Sequence, residues 1–118
     1  MKKVQLESAK RYHGPKHHDM ISMKLHGTEE TGCRSFWVAL SHVLPGGGHP
    51  FQAAPADQVY YVLEGEVTFR SKDETIVLKA SDSLYVAPNE EREMSNATNS
   101  VATMLVIKGD GESLLKFI

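Results

Sequence analysis

Pro45-Gly46-Gly47-Gly48-His49-Pro50-Phe51-Gln52 and, a few residues on, Gln58-Val59-Tyr60-Tyr61-Val62-Leu63-Glu64-Gly65-Glu66-Val67-Thr68-Phe69 are the stretch whose reading decides the fold. Gln58 to Phe69 is rich in β-branched and aromatic residues and is broken once, at Glu64-Gly65, so it predicts two strands joined by a tight turn. Tyr60 shares parity with Gln58 and Val62, which sets its ring on the inner face and Tyr61 on the outer one. Upstream, Arg34 to Leu44 is apolar on both faces, as in a central strand. Pro45 and the three glycines are expected to end it, since Pro has no N–H and glycine favours turns.

Working outward, Met20 to His26 places Ile21, Met23 and Leu25 on one face of a further strand, and Gly27 to Gly32 reads as a loop. Turns at Lys72-Asp73 and Lys79 to Asp82 bound a short strand over Glu74 to Leu78. Ser83 to Ala87, Glu91 to Asn96 and Val101 to Lys108 complete the set. About seven or eight short strands, with turn signals every 8–12 residues or so and no helix, predict an all-β sandwich or barrel. Residues 1–18 are polar and broken at Gly14-Pro15, and read as an N-terminal arm with at most one short strand; residues 19–118 read as a single domain.

Composition narrows the function classes. The chain has 118 residues, enough for one domain, with 13 Lys plus Arg against 15 Asp plus Glu and a net charge of −2. That balance provides no basic field for nucleic acid. Cys33 is alone, which rules out an intrachain disulfide scaffold. Lys2 and Lys3 have no apolar core behind them, so the N-terminus does not read as a signal peptide. No apolar run approaches the roughly 18 residues of a membrane span. A cytoplasmic protein with no membrane or nucleic-acid partner is expected. The six histidines (His13, His17, His18, His26, His42 and His49) all precede residue 50 and invite a metal hypothesis.

The framework from Gly46 to Gly65 and from Ser81 to Asn96 resembles that of the cupin superfamily, over roughly residues 35 to 108. The family's first motif runs Gly, five residues, His-x-His, three or four residues, Glu, six residues, Gly. Gly46 and Gly65 fit its ends, and its three ligand positions fall on Gln52, Ala54 and Gln58. The second motif runs Gly, five residues, Pro-x-Gly, two residues, His, three residues, Asn. It fits from Ser81 with Ala87, Asn89, Arg92 and Asn96, and Asn for Gly at 89 is mild because Asn tolerates the left-handed region. The resemblance implies a jelly-roll β-barrel with a ligand pocket in its lumen, and a homodimer to which the arm could add a strand.

The same resemblance implies a divalent ion held by four ligands, and none of the four survives here. Ala54 has no donor, the two Gln offer neutral amides, and Arg92 is permanently cationic and accepts nothing. A metal-free pocket is therefore expected. Arg92, Met94 and Asn96 share a face directed inward, where Arg92 either clamps an anionic ligand or pairs internally with Glu90, Glu93, Glu66 or Asp57; a one-residue slip would instead turn Glu93 inward. Gln52, Gln58 and Tyr60 line the lumen, the Gln either orienting a ligand or satisfying backbone groups. His49, at the barrel mouth, is either a proton carrier or an exposed loop residue. His42 continues an apolar face and is either structural or ligand-binding. His13, His17 and His18 decorate the arm, and nothing activates Cys33.

Three functions follow. The first is a metal-independent cupin that binds a small carboxylate, with isomerase- or lyase-type chemistry through His49. The second is a metal-dependent oxygenase, lyase or decarboxylase holding Fe, Mn, Ni or Zn through substitute ligands among His49, His42, Gln58 and Glu93. The third is a non-catalytic binding or accessory module, and a barrel alone does not choose between them.

Overall fold

The computed structural model describes residues 1–109; residues 110–118, which the sequence assigned to the barrel domain, lie outside the described residues. A 3-10 turn at Leu6–Ser8 precedes β1 (Lys10–Tyr12) and β2 (His18–His26), and a four-residue helical turn, α1 (Thr28–Thr31), leads into β3 (Phe36–Gln52). The hairpin β4 (Gln58–Glu64) and β5 (Glu66–Arg70) follows, then β6 (Thr75–Lys79), β7 (Ser83–Val86), β8 (Arg92–Ser95) and β9 (Ala102–Gly109). The main path runs β6-β5-β8-β3-β9-β4-β7, with β2 on the free flank of β3 and β1 on β2. All ladders are antiparallel, and the sheet curls into a nearly closed barrel. The all-β barrel expected from the sequence is what the chain forms. Among the described residues no helix is long and apolar enough to cross a membrane.

Two local expectations need correcting. Gly27 to Gly32 contains one turn of helix rather than only loop. More importantly, Pro45 and the glycines do not end a strand: β3 continues for 17 residues through them. Over Phe36 to Val43 it pairs with β9, and over Gly48 to Gln52 with β8, while β2 runs along its other side. The glycines permit this by their lack of a side chain. A Cβ at Gly47 would stand 2.2 Å from the Asp19 carbonyl oxygen, and one at Gly48 would stand 1.9 Å from that of Met94. Here glycine marks close backbone approach rather than a turn.

Asn96 closes β8 onto this crossing. Its Nδ2 donates to the carbonyls of Val43 at 2.9 Å and Ser100 at 2.8 Å, and its Oδ1 accepts from Thr98 N and Oγ1. Asn89 and Ser81, at the second motif's two glycine positions, have φ of 64° and 76°. The left-handed conformation is thus kept where the glycines are not. The core fills one end of the barrel with Val43, Val62, Val67, Leu78 and Ala102. The opposite end is hollow.

Candidate functional site

Inward positions run from core to cavity along each strand. On β4 they are Val62, Tyr60 and Gln58; on β9 they are Ala102, Met104, Val106 and Lys108; on β3 they are Val43, Ser41 and Trp37. The cavity has a volume of about 310 Å³, a size that suits a small molecule. Gln52, Gln58, Tyr60, Arg92, Met94 and His49 all line it, so six of the seven pocket residues expected from the sequence converge. Among the described residues lining it there is no Asp or Glu.

Arg92 occupies the centre of the polar wall and is 6 % exposed. Its Nη2 donates to Gln58 Oε1 and, at 2.9 Å, to Tyr60 Oη, and its Nη1 donates to the Gln52 backbone carbonyl at 3.3 Å. All three acceptors are neutral. Three of the five guanidinium N–H groups are thereby used, and Nε is buried without a partner. The internal ion pair does not form among the described residues. Glu93 holds Arg70 Nε at 2.5 Å on the outer face, Asp57 accepts from Tyr85 Oη at 2.5 Å, and Glu90 accepts from Ala87 N. A cation this deeply buried with no counter-ion is energetically unfavourable by several kcal/mol, of order the desolvation penalty of one ion.

His49 is buried, not an exposed loop residue. Its Nδ1 lies 2.8 Å from the Pro50 carbonyl, which only accepts, so Nδ1 carries the proton and Nε2 keeps its lone pair. Burial first, and then the charges of His17 and Arg92, push its pKa down to about 4. His49 is therefore neutral at neutral pH, a hydrogen-bond acceptor and a weak base.

The structure adds residues that the sequence reading placed elsewhere. His17 is not arm decoration. Its ring packs 4.9 Å from that of His49, its Nδ1 donates to the Pro15 carbonyl at 2.9 Å, and burial lowers its pKa as well. The turn at Pro15-Lys16, with Lys16 at φ 57°, folds the ring over Gly14, where a Cβ would lie 2.4 Å from it. The Gly14-Pro15 break was the available signal. Tyr12 and Trp37 also line the cavity, in edge-to-face contact at 5.9 Å. Lys108 lies beside them with its Nζ 5.7 Å from the Trp37 ring centroid.

His42 is corrected in the other direction. It alternates away from Ser41 and Val43 onto the outer face, where its Nδ1 meets Thr103 Oγ1 at 2.9 Å. The substitute metal set of His49, His42, Gln58 and Glu93 is thereby pulled apart, since His42 and Glu93 both lie outside the barrel wall. The ion implied by the resemblance does not fit the usual positions either. The guanidinium at the fourth position is bonded to the Gln58 amide at the third, and Ala54 has no donor.

Comparison with known proteins agrees with this geometry. Residues 39–108 match the family model described as a cupin domain. The chain is 36 % identical over 106 residues to the beta-D-galactosidase Rv1717 of Mycobacterium tuberculosis, covering 90 % of this chain and 91 % of that protein. The fold is similar to that of the polyketide cyclase RemF from Streptomyces resistomycificus, with a TM-score of 0.81 at 21 % identity, over 92 % of this chain and 79 % of that one. An RmlC-like cupin from Shewanella frigidimarina superposes with a TM-score of 0.76 at 17 % identity, covering 97 % and 96 % of the two chains. The chain belongs to the cupin family, with a small-molecule pocket in the lumen of its barrel.

Proposed function

We propose that the cavity binds a small carboxylate, independently of metal, with Arg92 as the anion clamp. The observation that carries this reading is the buried guanidinium, which has only neutral partners among the described residues, in a cavity whose described lining has no acid. An entering carboxylate supplies the missing counter-charge, and Tyr60, Gln58 and Gln52 hold the guanidinium toward it. Trp37, Met94, Met104 and Val106 then receive the ligand's apolar body. His49 Nε2 is the group able to take a proton from the bound molecule. The carboxylate also offsets the charge of Arg92, which raises the basicity of His49 once the ligand is seated. Proton-transfer chemistry of the isomerase or lyase kind is consistent with that coupling.

The name of the mycobacterial relative suggests a sugar substrate. Glycoside hydrolysis in its common form uses two carboxyl groups roughly 5–10 Å apart across the scissile bond. The described residues lining this cavity provide neither. Isothermal titration of benzoate, butanoate and methyl β-galactoside against the native chain and Arg92→Met separates the two readings. Carboxylates are expected to bind the native protein and to lose roughly 10–100-fold in affinity on substitution, the scale of a charge-assisted hydrogen bond of about 1.5–3 kcal/mol. Equal carboxylate binding by Arg92→Met, or binding of the galactoside alone, overturns the anion reading.

We also propose that two copies pair through the outer face of β2, β3, β9 and β4. Ile21, Leu40, Leu105, Ile107, Val59 and Tyr61 share that face as an apolar layer, each at least partly exposed. The cytoplasmic setting expected from the sequence belongs with this proposal. β1 pairs with β2 of its own chain, so the pairing does not require an exchanged arm.

A further inference from the structure

The cavity contains a second cation that the anion clamp does not use. Lys108 lies opposite Trp37 on one side and opposite Gln58 on the other, in a row across β3, β9 and β4. Side chains directly opposite one another in such a ladder are immediate neighbours. Gln58 is also the residue whose Oε1 accepts from Arg92. The two cationic side chains thus flank one neutral amide in the same cavity wall. Lys24, the other ammonium near the Trp37 ring, pairs with Glu30 at 3.8 Å and does not line the cavity. Lys108 has no carboxylate partner among the described residues, and the indole is its one cation–π contact.

From this juxtaposition we infer that the ligand carries two anionic groups, one taken by Arg92 and the second by Lys108. A dicarboxylate with an apolar spacer is the substrate class that matches. The inference rests on the anion reading of the cavity and sharpens it. Two like charges in one low-dielectric pocket disfavour each other, and a monoanion relieves only part of that repulsion. Burial, with Arg92 and Lys24 nearby, already lowers the Lys108 pKa, so its charge is the easier of the two to lose without a partner. A dianion fixes both cations in their charged forms. His49 and His17, neutral and with Nδ1 tied to carbonyls, offer no competing anion and no further positive charge at neutral pH.

Matched probes test the assignment: butanoate against succinate and adipate, and benzoate against phthalate and isophthalate, titrated at pH 7.5 into the native chain, Lys108→Met and Lys108→Arg. Circular dichroism melting of each variant establishes that it is folded. The best dicarboxylate is expected to bind the native chain at least tenfold more tightly than its monocarboxylate match. That preference should fall to within about threefold in Lys108→Met and persist in Lys108→Arg. A native chain without the preference, or a Lys108→Met variant that retains it, overturns the second-anion assignment. In either case Arg92-dependent binding of benzoate leaves the single-anion reading standing. Failure of every carboxylate to bind removes both.

Discussion

At His49 a backbone carbonyl sets the tautomer and burial sets the charge, so pH acts on this residue with a defined sign. The folded pKa of about 4 lies below the ordinary histidine value of 6.5. Between those values the unfolded chain binds more protons than the folded one. Stability therefore falls as the pH drops from about 6.5 to 4 and is flat below that. The contribution is roughly 3–4 kcal/mol at about 1.4 kcal/mol per unit, and His17 adds to it in the same direction. Chemical denaturation at pH 7.0, 5.5 and 4.5 should show this slope, and His49→Gln should flatten it; an unchanged slope removes the buried neutral histidine. Gly48 leads to a harsher expectation. Its φ of 148° and the Met94 oxygen 1.9 Å from a would-be Cβ leave no room for alanine. Gly48→Ala should lower stability by at least about 3 kcal/mol, measured by the same denaturation, whereas Gly46→Ala, with open space around it, meets only the φ penalty of about 1 kcal/mol. Much of the pocket was legible residue by residue. Parity put Tyr60 on one face with Gln58, and Arg92 on one face with Met94, because alternation on a strand is local. The resemblance directed the second pair inward, with a one-residue slip left open. His17 and Lys108 were not legible, since one depends on where a turn folds back and the other on a ladder partner far away in sequence. His42 failed for a related reason: the apolar face it continued is the outer one.

Among the elements, β3 and the arm depart furthest from their local sequence. Strand positions, the β4–β5 hairpin and the turns at 72–73 and 79–82 could be read directly, because each is encoded within a few residues. The continuation of β3 through Pro45-Gly46-Gly47-Gly48 could not, because the same residues that suit a turn also suit a strand squeezed between two others. What decides is the presence of β2 and β8 on its flanks, which only the assembled sheet supplies. The arm behaves likewise. Its single strand, β1, pairs with β2 over three residues, yet Tyr12, Gly14, Pro15 and His17 form one wall of the cavity. The barrel's own ladders do not depend on it. Deleting residues 1–17 should therefore leave a cooperative thermal transition while weakening benzoate binding at least tenfold. A truncated chain that binds as well as the full one would show that this wall is not part of the site.

For the whole molecule, the proposed ligand cavity and the proposed pairing face lie on opposite sides of the wall formed by β2, β3, β9 and β4. Leu40 and Leu105 face each other across β3 and β9 in the middle of the outer layer. Sedimentation velocity at tens of micromolar should find a dimer for the native chain and a monomer for Leu40→Glu/Leu105→Glu. A native monomer at that concentration would remove the pairing. The sheet order has a consequence for biogenesis. β9, the last strand described, does not add to an edge but slots between β3 and β4, bonded to both. Until residues 102–109 have left the ribosome, those two strands have no partner where β9 will lie and the lumen has no continuous wall. The nascent chain must carry most of its apolar residues in that unfinished state, so this barrel closes only once β9 has emerged rather than growing strand by strand.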